Sequence, residues 1–89
     1  MTTSERSQAY GRVMHTLADM GPAKLQTDEQ DLIREAADEL LFDSPVAPAA
    51  LAGVEELAGR LTESERWTPE RARALVEDVA ACGPAAVRA

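Results

Sequence analysis

Carboxylates are the side chains of this chain best placed to do chemistry, and they concentrate in one segment. Between Thr27 and Asp43 the sequence has seven acidic residues and one basic residue, Arg34, so this segment carries most of the net charge of −7. On a helical wheel, five of the acids fall within about a third of the circumference. These five are Asp28, Asp31, Glu35, Asp38 and Glu39. Such a row can bind a metal, attract a basic partner or keep a small protein in solution.

A metal site is not expected in this row. Carboxylate metal sites in helical bundles have their acids turned into the bundle and usually include a Glu-x-x-His pair. Here the acidic face is opposite the apolar face of the same segment, and the one histidine, His15, has no glutamate three residues before it. His15 and the single cysteine, Cys82, are also too far apart for the usual zinc spacings. We therefore expect no metal and no cofactor.

Catalysis is not expected either. His15 is predicted to be exposed, with Asp19 one turn further on as an ion partner, and the sequence locates no nucleophile or second base beside it. Cys82 lies on or beside the apolar face of the fourth helix and is predicted to be a small buried or half-buried residue. A redox role is not expected, because nothing basic in the preceding turn would lower the pKa of its thiol. The five glycines are isolated and form no phosphate-binding loop.

A docking surface is the functional interpretation that remains for the acidic row. Leu32 and Phe42 fall near its acidic side, and carboxylates with a few apolar residues suit a basic groove that contains an apolar pocket. The alternative is a solvated face. Phe42 either extends this surface or folds over the end of its helix into the core, and we favour the core. The predicted partner-binding residues are Asp28, Asp31, Leu32, Glu35, Asp38, Glu39, Phe42 and Trp67.

Trp67 belongs to a second candidate contact site, before the fourth helix. One interpretation makes it a structural lid that packs on Ala72. The other makes it an exposed aromatic anchor, since tryptophan is enriched at interfaces.

Four amphipathic helices must position these residues. Apolar residues recur every three or four positions, and no segment alternates as a strand would. The predicted starts are Thr2 (with Glu5 in a capping box), Thr27 (with Gln30), Pro48 in a first turn, and Thr68 followed by Pro69. The predicted stops are Gly21-Pro22, Asp43-Ser44-Pro45 and Cys82-Gly83-Pro84. The sequence thus predicts an all-α, small four-helix bundle-like single domain over 1–84 with short Pro/Gly-containing connections, and a frayed tail over 85–89.

Composition limits the possible partners. Nine basic residues against sixteen acidic ones disfavour direct nucleic-acid binding and attachment to anionic lipid. The polar start shows no secretory leader, no segment is apolar enough to span a membrane, and a single cysteine suits a reducing compartment, so we expect a cytoplasmic location. Alanine-padded faces bury little apolar area. The chain is therefore either a marginal monomer or one stabilised by self-association or a partner.

The functional prediction is a small acidic, non-enzymatic interaction protein: an adaptor, accessory subunit or inhibitor. Its acidic helix would dock onto a basic surface of a protein partner, and a nucleic-acid mimic is the sharper form of this idea. The alternative is a carrier-type or self-assembling structural subunit. The carrier idea comes from Asp43-Ser44, which is similar to the phosphopantetheine-bearing serine site of acyl carrier proteins. The similarity stops there, since Pro45 stands where those proteins have leucine.

Overall fold

The computed structural model describes residues 3–83, and within that range it places the side chains of 5–19 and 25–83. The described chain forms four α-helices: α1 (Thr3–Lys24), α2 (Thr27–Leu41), α3 (Ala47–Glu63) and α4 (Pro69–Ala81). This confirms the all-α, four-helix prediction. The predicted cap at Thr2, the predicted stop at Pro84 and the predicted frayed tail over 85–89 lie outside the described residues.

The helices form a four-membered bundle in sequence order. Each packs against its neighbour in the chain, α1 and α4 close the ring, and α2 also touches α4 across the diagonal. Short connections between consecutive helices give the up-down arrangement of such bundles. The apolar stripes meet inside, and the largest fully buried side chains are Val13, Ile33, Leu40, Val54, Leu57, Leu61, Val79 and Cys82.

The helix starts were predicted to within a residue. Thr68 caps α4 as expected, since its hydroxyl accepts a hydrogen bond from the backbone N–H of Arg71 at 3.2 Å. The predicted Thr27–Gln30 box is wrong by one position. Gln26 is the N-cap of α2, and its backbone N–H donates to Glu29 Oε1 at 2.8 Å. A carboxylate is a stronger acceptor than the amide of glutamine, which explains the choice.

The predicted stop at Gly21-Pro22 is wrong, because α1 continues to Lys24. A proline near the end of a helix removes one backbone hydrogen bond, and that loss is offset when the extra turn brings an apolar residue to the core. Leu25, the next residue, is buried. Only two residues then separate α1 from α2.

Left-handed residues, and not proline, end α2 and α3. Asp43 (φ 56°) and Glu65 (φ 60°) both lie in the left-handed region. The N–H of Ser44 reaches the carbonyl of Glu39 at 2.9 Å, and the turn after α3 repeats this hydrogen-bond pattern. These are Schellman turns with acidic residues where glycine is usual. The prediction that Pro45 stops α2 is therefore wrong in its cause.

Gly83 is also not the left-handed cap that the sequence predicted, since no described glycine has a positive φ. A Cβ at Gly83 would lie 2.9 Å from Leu40 Cδ2, so the residue is small because α4 ends directly against α2. In the sequence this close approach appears only as a glycine, and a glycine at the end of a helix indicates a left-handed cap equally well.

One arginine ties three helices together at this end of the bundle. The guanidinium of Arg6, on α1, donates to the carbonyls of Leu40 (2.8 Å) and Leu41 (3.0 Å) at the end of α2. It also donates to the carbonyl of Cys82 at the end of α4 (2.9 Å) and to Asp43 Oδ1 (2.8 Å). Cations are favourable at helix C-termini, where carbonyls lack helical partners. No sequence pattern pointed to this residue.

Candidate functional site

Three of the five acids in the predicted docking row are engaged within the protein. Asp31 pairs with Arg34 at 3.0 Å on the same helix. Asp38 accepts a 2.5 Å hydrogen bond from the hydroxyl of Tyr10 on α1, and this bond, followed by burial, raises the pKa of the tyrosine. Asp28 accepts from a backbone N–H of its own first turn at 3.0 Å. These contacts satisfy part of the hydrogen-bonding capacity of each carboxylate.

The two other acids of the segment are held in the same way. Glu29 accepts two hydrogen bonds from the guanidinium of Arg66, at 2.7 and 3.2 Å. These bonds lower the pKa of Glu29, and the backbone N–H of Gln26 acts in the same direction. Asp43 is bound by Arg6. The ends of α2 therefore use their acids to build the fold.

Glu35 and Glu39 are different. Among the residues whose side chains the structure places (5–19 and 25–83), neither carboxylate forms a hydrogen bond or an ion pair. Glu35 is exposed and Glu39 is half-buried. They lie one helical turn apart on the side of α2 that faces α3. The structure thus selects two adjacent carboxylates out of the predicted row of five.

These two glutamates border a groove of about 460 Å³ between α2 and α3. The other lining residues are apolar, and they are Leu32, Ala36, Val46, Ala49 and Ala50. Leu32 is half-buried and packs against the core, while part of its surface lines the groove. A Cβ added at Gly53 would meet Leu32 Cδ1 at 3.7 Å, so the middle of α3 lies beside the first half of α2. Small residues on α3 keep the groove open.

Two large apolar side chains are exposed in this part of the protein: Val46 lines the groove, and Phe42 follows Glu39 by three residues at the C-cap of α2. Phe42 is 76% exposed and Val46 is 56% exposed. The favoured prediction that Phe42 folds into the core is therefore wrong. Phe42 has bridge-region backbone angles at the C-cap of α2 (φ −99°, ψ 12°), and Arg6 covers the carbonyls at that end instead. Sequence reasoning missed Val46, although its position between Pro45 and Pro48 marks a connection.

Trp67 does not provide an exposed anchor. It is 4% exposed and belongs to the core, so its inclusion among the partner-binding residues is wrong, and the structural interpretation holds. Ala72, its expected staple partner, is buried as well. No described residue hydrogen-bonds to the indole Nε1, so the side chain acts here as an apolar filler.

The candidate catalytic histidine, His15, lies on the surface of α1. His15 Nε2 lies 3.0 Å from Asp19 Oδ2, and both side chains are largely exposed, as predicted. They line an open cleft between α1 and α4 with Glu70, Arg71 and Asp78.

Cys82 is fully buried, as predicted, and its thiol donates to the carbonyl of Asp78 at 3.5 Å. Burial, together with the nearby charge of Asp78, raises the pKa of this thiol to about 11. A thiol that stays protonated at neutral pH is a poor nucleophile.

The part of the chain that the structure describes contains no group of three or more His, Cys, Asp or Glu side chains able to hold a metal ion. It also contains no helix with the length and apolarity needed to cross a bilayer. Comparisons of the chain with protein-family models, curated proteins and solved structures found no significant match.

Proposed function

We propose that the protein is a small, non-enzymatic interaction subunit of the cytoplasm that binds a basic surface of a protein partner through the α2–α3 groove. One observation supports this most. The two carboxylates of α2 without a partner among the placed side chains are those that border an apolar groove. Exposed Val46 lines this groove, and exposed Phe42 follows Glu39 at the C-cap of α2.

The combination suits recognition better than solubility alone. Interfaces derive much of their affinity from a few large apolar or aromatic anchors and gain specificity and association rate from charge complementarity. Phe42 is the one phenylalanine of the chain, and it is held in water at 76% exposure. Its exposure to water makes the free energy of folding less favourable, and burial against a partner would recover that free energy.

A basic partner fits this surface better than a second copy of the chain. In a two-fold dimer the same patch would face itself, so Glu35 and Glu39 would approach their own copies. Each copy also carries a net charge of −7. A monomeric species in light scattering at high concentration would support the assignment, and a dimer broken by Phe42→Ser would support self-assembly instead.

The nucleic-acid mimic is the less favoured form of the proposal. A mimic needs a row of free carboxylates with the spacing of phosphates, and here Asp31 and Asp38 are bonded to neighbours. The groove instead offers two charges next to apolar surface, and this favours a protein ligand with both basic and apolar side chains.

The test is quantitative capture of partners from the native cell extract by three immobilised proteins. The first is the unaltered chain, the second carries Glu35→Gln, Glu39→Gln and Phe42→Ser, and the third carries Glu55→Gln and Glu77→Gln. Glu55 and Glu77 are exposed acids away from the groove, so the control makes the same change in charge. We expect one basic protein to bind the first and third and to fall about tenfold or more on the second. Equal capture by all three proteins contradicts the proposal.

A further inference from the structure

We infer that the ligand of the α2–α3 groove is a basic amphipathic helix of about two turns whose cations lie along one edge of its apolar face. This inference rests on the proposed function and specifies the shape and charge pattern of the partner segment. It combines three observations: the length of the groove, the small residues of its α3 wall, and the position of Glu35 and Glu39 on the α2 wall alone.

A helix fits this groove better than an extended segment. An extended peptide gains most of its affinity by adding to a sheet edge, and the described residues form helices and turns with no strand. Helical walls have already used their backbone donors and acceptors internally. A ligand in this groove must therefore satisfy its own backbone, and a helix does so.

The dimensions of the groove set the length of the helix. Its α2 wall runs from Leu32 to Glu39, and these seven residues of helix span about 10 Å at about 1.5 Å per residue. Ala49, Ala50 and Gly53 on the α3 wall carry at most one methyl group each. Such small residues allow a third helix to approach both walls at ordinary packing distances of about 8–10 Å.

The charges of the groove set the pattern of the ligand. Glu35 and Glu39 lie one turn apart on the α2 wall, whereas Ala49 and Ala50 make the facing part of the α3 wall uncharged. Cations spaced by three or four residues along one edge of the ligand would meet both glutamates at once. Because only one wall is charged, the edge that carries the cations also determines which way the ligand helix runs.

The test uses designed peptides, since the partner is not needed to probe the groove. The first two are 14-residue alanine-based helices with a leucine stripe and two arginines on the left edge or on the right edge of that stripe. A third has the same composition with the arginines on the face opposite the stripe. A fourth is the first peptide with a central proline, which prevents the helix. Binding is followed by shifts of the backbone amides of the isotopically labelled protein.

We expect the two edge peptides to bind at the groove and the opposite-face and proline peptides to bind about tenfold or more weakly. Glu35→Gln with Glu39→Gln should weaken the edge peptides about tenfold, whereas Glu55→Gln with Glu77→Gln should not. A spin label at the peptide N-terminus should broaden amides near Phe42 with one edge peptide and near Leu32 with the other. Equal binding of all four peptides, or shifts spread over the whole acidic surface, overturns the inference.

Failure of the inference can be told apart from failure of the proposed function. If capture of the native partner depends on Glu35, Glu39 and Phe42 while the four peptides bind alike, the groove is the docking site but its ligand is not an edge-charged helix. If neither the partner nor the peptides depend on these residues, the proposed function itself is wrong.

Discussion

Replacing Arg6 should destabilise the bundle more than any other single change of a charged residue. The side chain of Arg6 is only 15% exposed, and its guanidinium donates to three main-chain carbonyls and one carboxylate, at distances of 2.8 to 3.0 Å. Arg6→Met keeps the aliphatic stem and removes all four hydrogen bonds. Arg6→Lys keeps the charge but not the planar fork that reaches several acceptors at once.

The magnitude follows from what the carbonyls lose. Hydrogen bonds to a charged group contribute about 1.5–3 kcal/mol each when a buried partner is left unsatisfied. Here the site is partly exposed, so water replaces part of the loss, and the four contributions do not add. We expect Arg6→Met to lower the free energy of unfolding by about 2–4 kcal/mol. For a domain of this size that corresponds to a fall in Tm of roughly 10–25 °C. The Tm of Arg6→Lys should lie between those of the unaltered protein and Arg6→Met.

The measurement is thermal and urea unfolding followed by helical circular dichroism and by the fluorescence of the single buried tryptophan, Trp67. Arg73→Met is the matched control, because Arg73 is an exposed arginine of α4 and should change stability by less than about 0.5 kcal/mol. If Arg6→Met and Arg73→Met unfold at the same midpoint, the carbonyl contacts of Arg6 do not hold the bundle together.

Three further outcomes can be checked on the same protein. Gly59→Ala should raise the free energy of unfolding by about 0.5–1 kcal/mol, because a Cβ there meets nothing within 4 Å. Gly83→Ala should lower it by about 1–3 kcal/mol through overpacking. The measurement is the urea midpoint of each variant, and equal effects of the two substitutions would contradict the packing argument. Tyr10 should titrate at higher pH than a free tyrosine in ultraviolet absorbance, and Asp38→Asn should bring its pKa back down. Because the pKa of Tyr10 is raised in the folded protein, the contribution of the Tyr10–Asp38 bond to stability is present below pH 10 and is lost as the pH rises through the folded pKa. An unchanged titration of Tyr10 in the variant would contradict this bond. Cys82 should react with a thiol reagent at pH 8 about a hundredfold more slowly in the native protein than in urea. The reason is that a pKa of about 11, against an ordinary 9.0, leaves far less thiolate in the native protein. Similar rates would show that the thiol is accessible.

The regular parts of the fold were predictable because they follow from local rules. A period of three to four apolar residues fixes which face of each helix is buried, and Ile33, Leu57 and Val79 are buried as their spacing indicates. The cap at Thr68 depends on one hydroxyl and the backbone next to it. Contacts within a few residues of each other are visible in a single sequence.

What could not be predicted depends on residues far apart in the chain. Arg6 meets the end of α4 seventy-six positions later, and an arginine in a polar segment carries no mark of such a partner. Phe42 is the next residue after the carbonyls that Arg6 binds, and local spacing does not show that Arg6 and not Phe42 covers this end of α2. The helical wheel placed Asp38 with the other acids, and its bond to Tyr10 on α1 is a contact that local spacing does not show.

The long reach of Arg6 also bears on how the protein is made. During synthesis α1 emerges early, but the carbonyl of Cys82 reaches it only after α4 has left the ribosome. Until then the first helix lacks one of the acceptors that secure it. Ring closure is therefore a late folding event, and nascent chains that stall before α4 should be the ones that proteases and chaperones recognise.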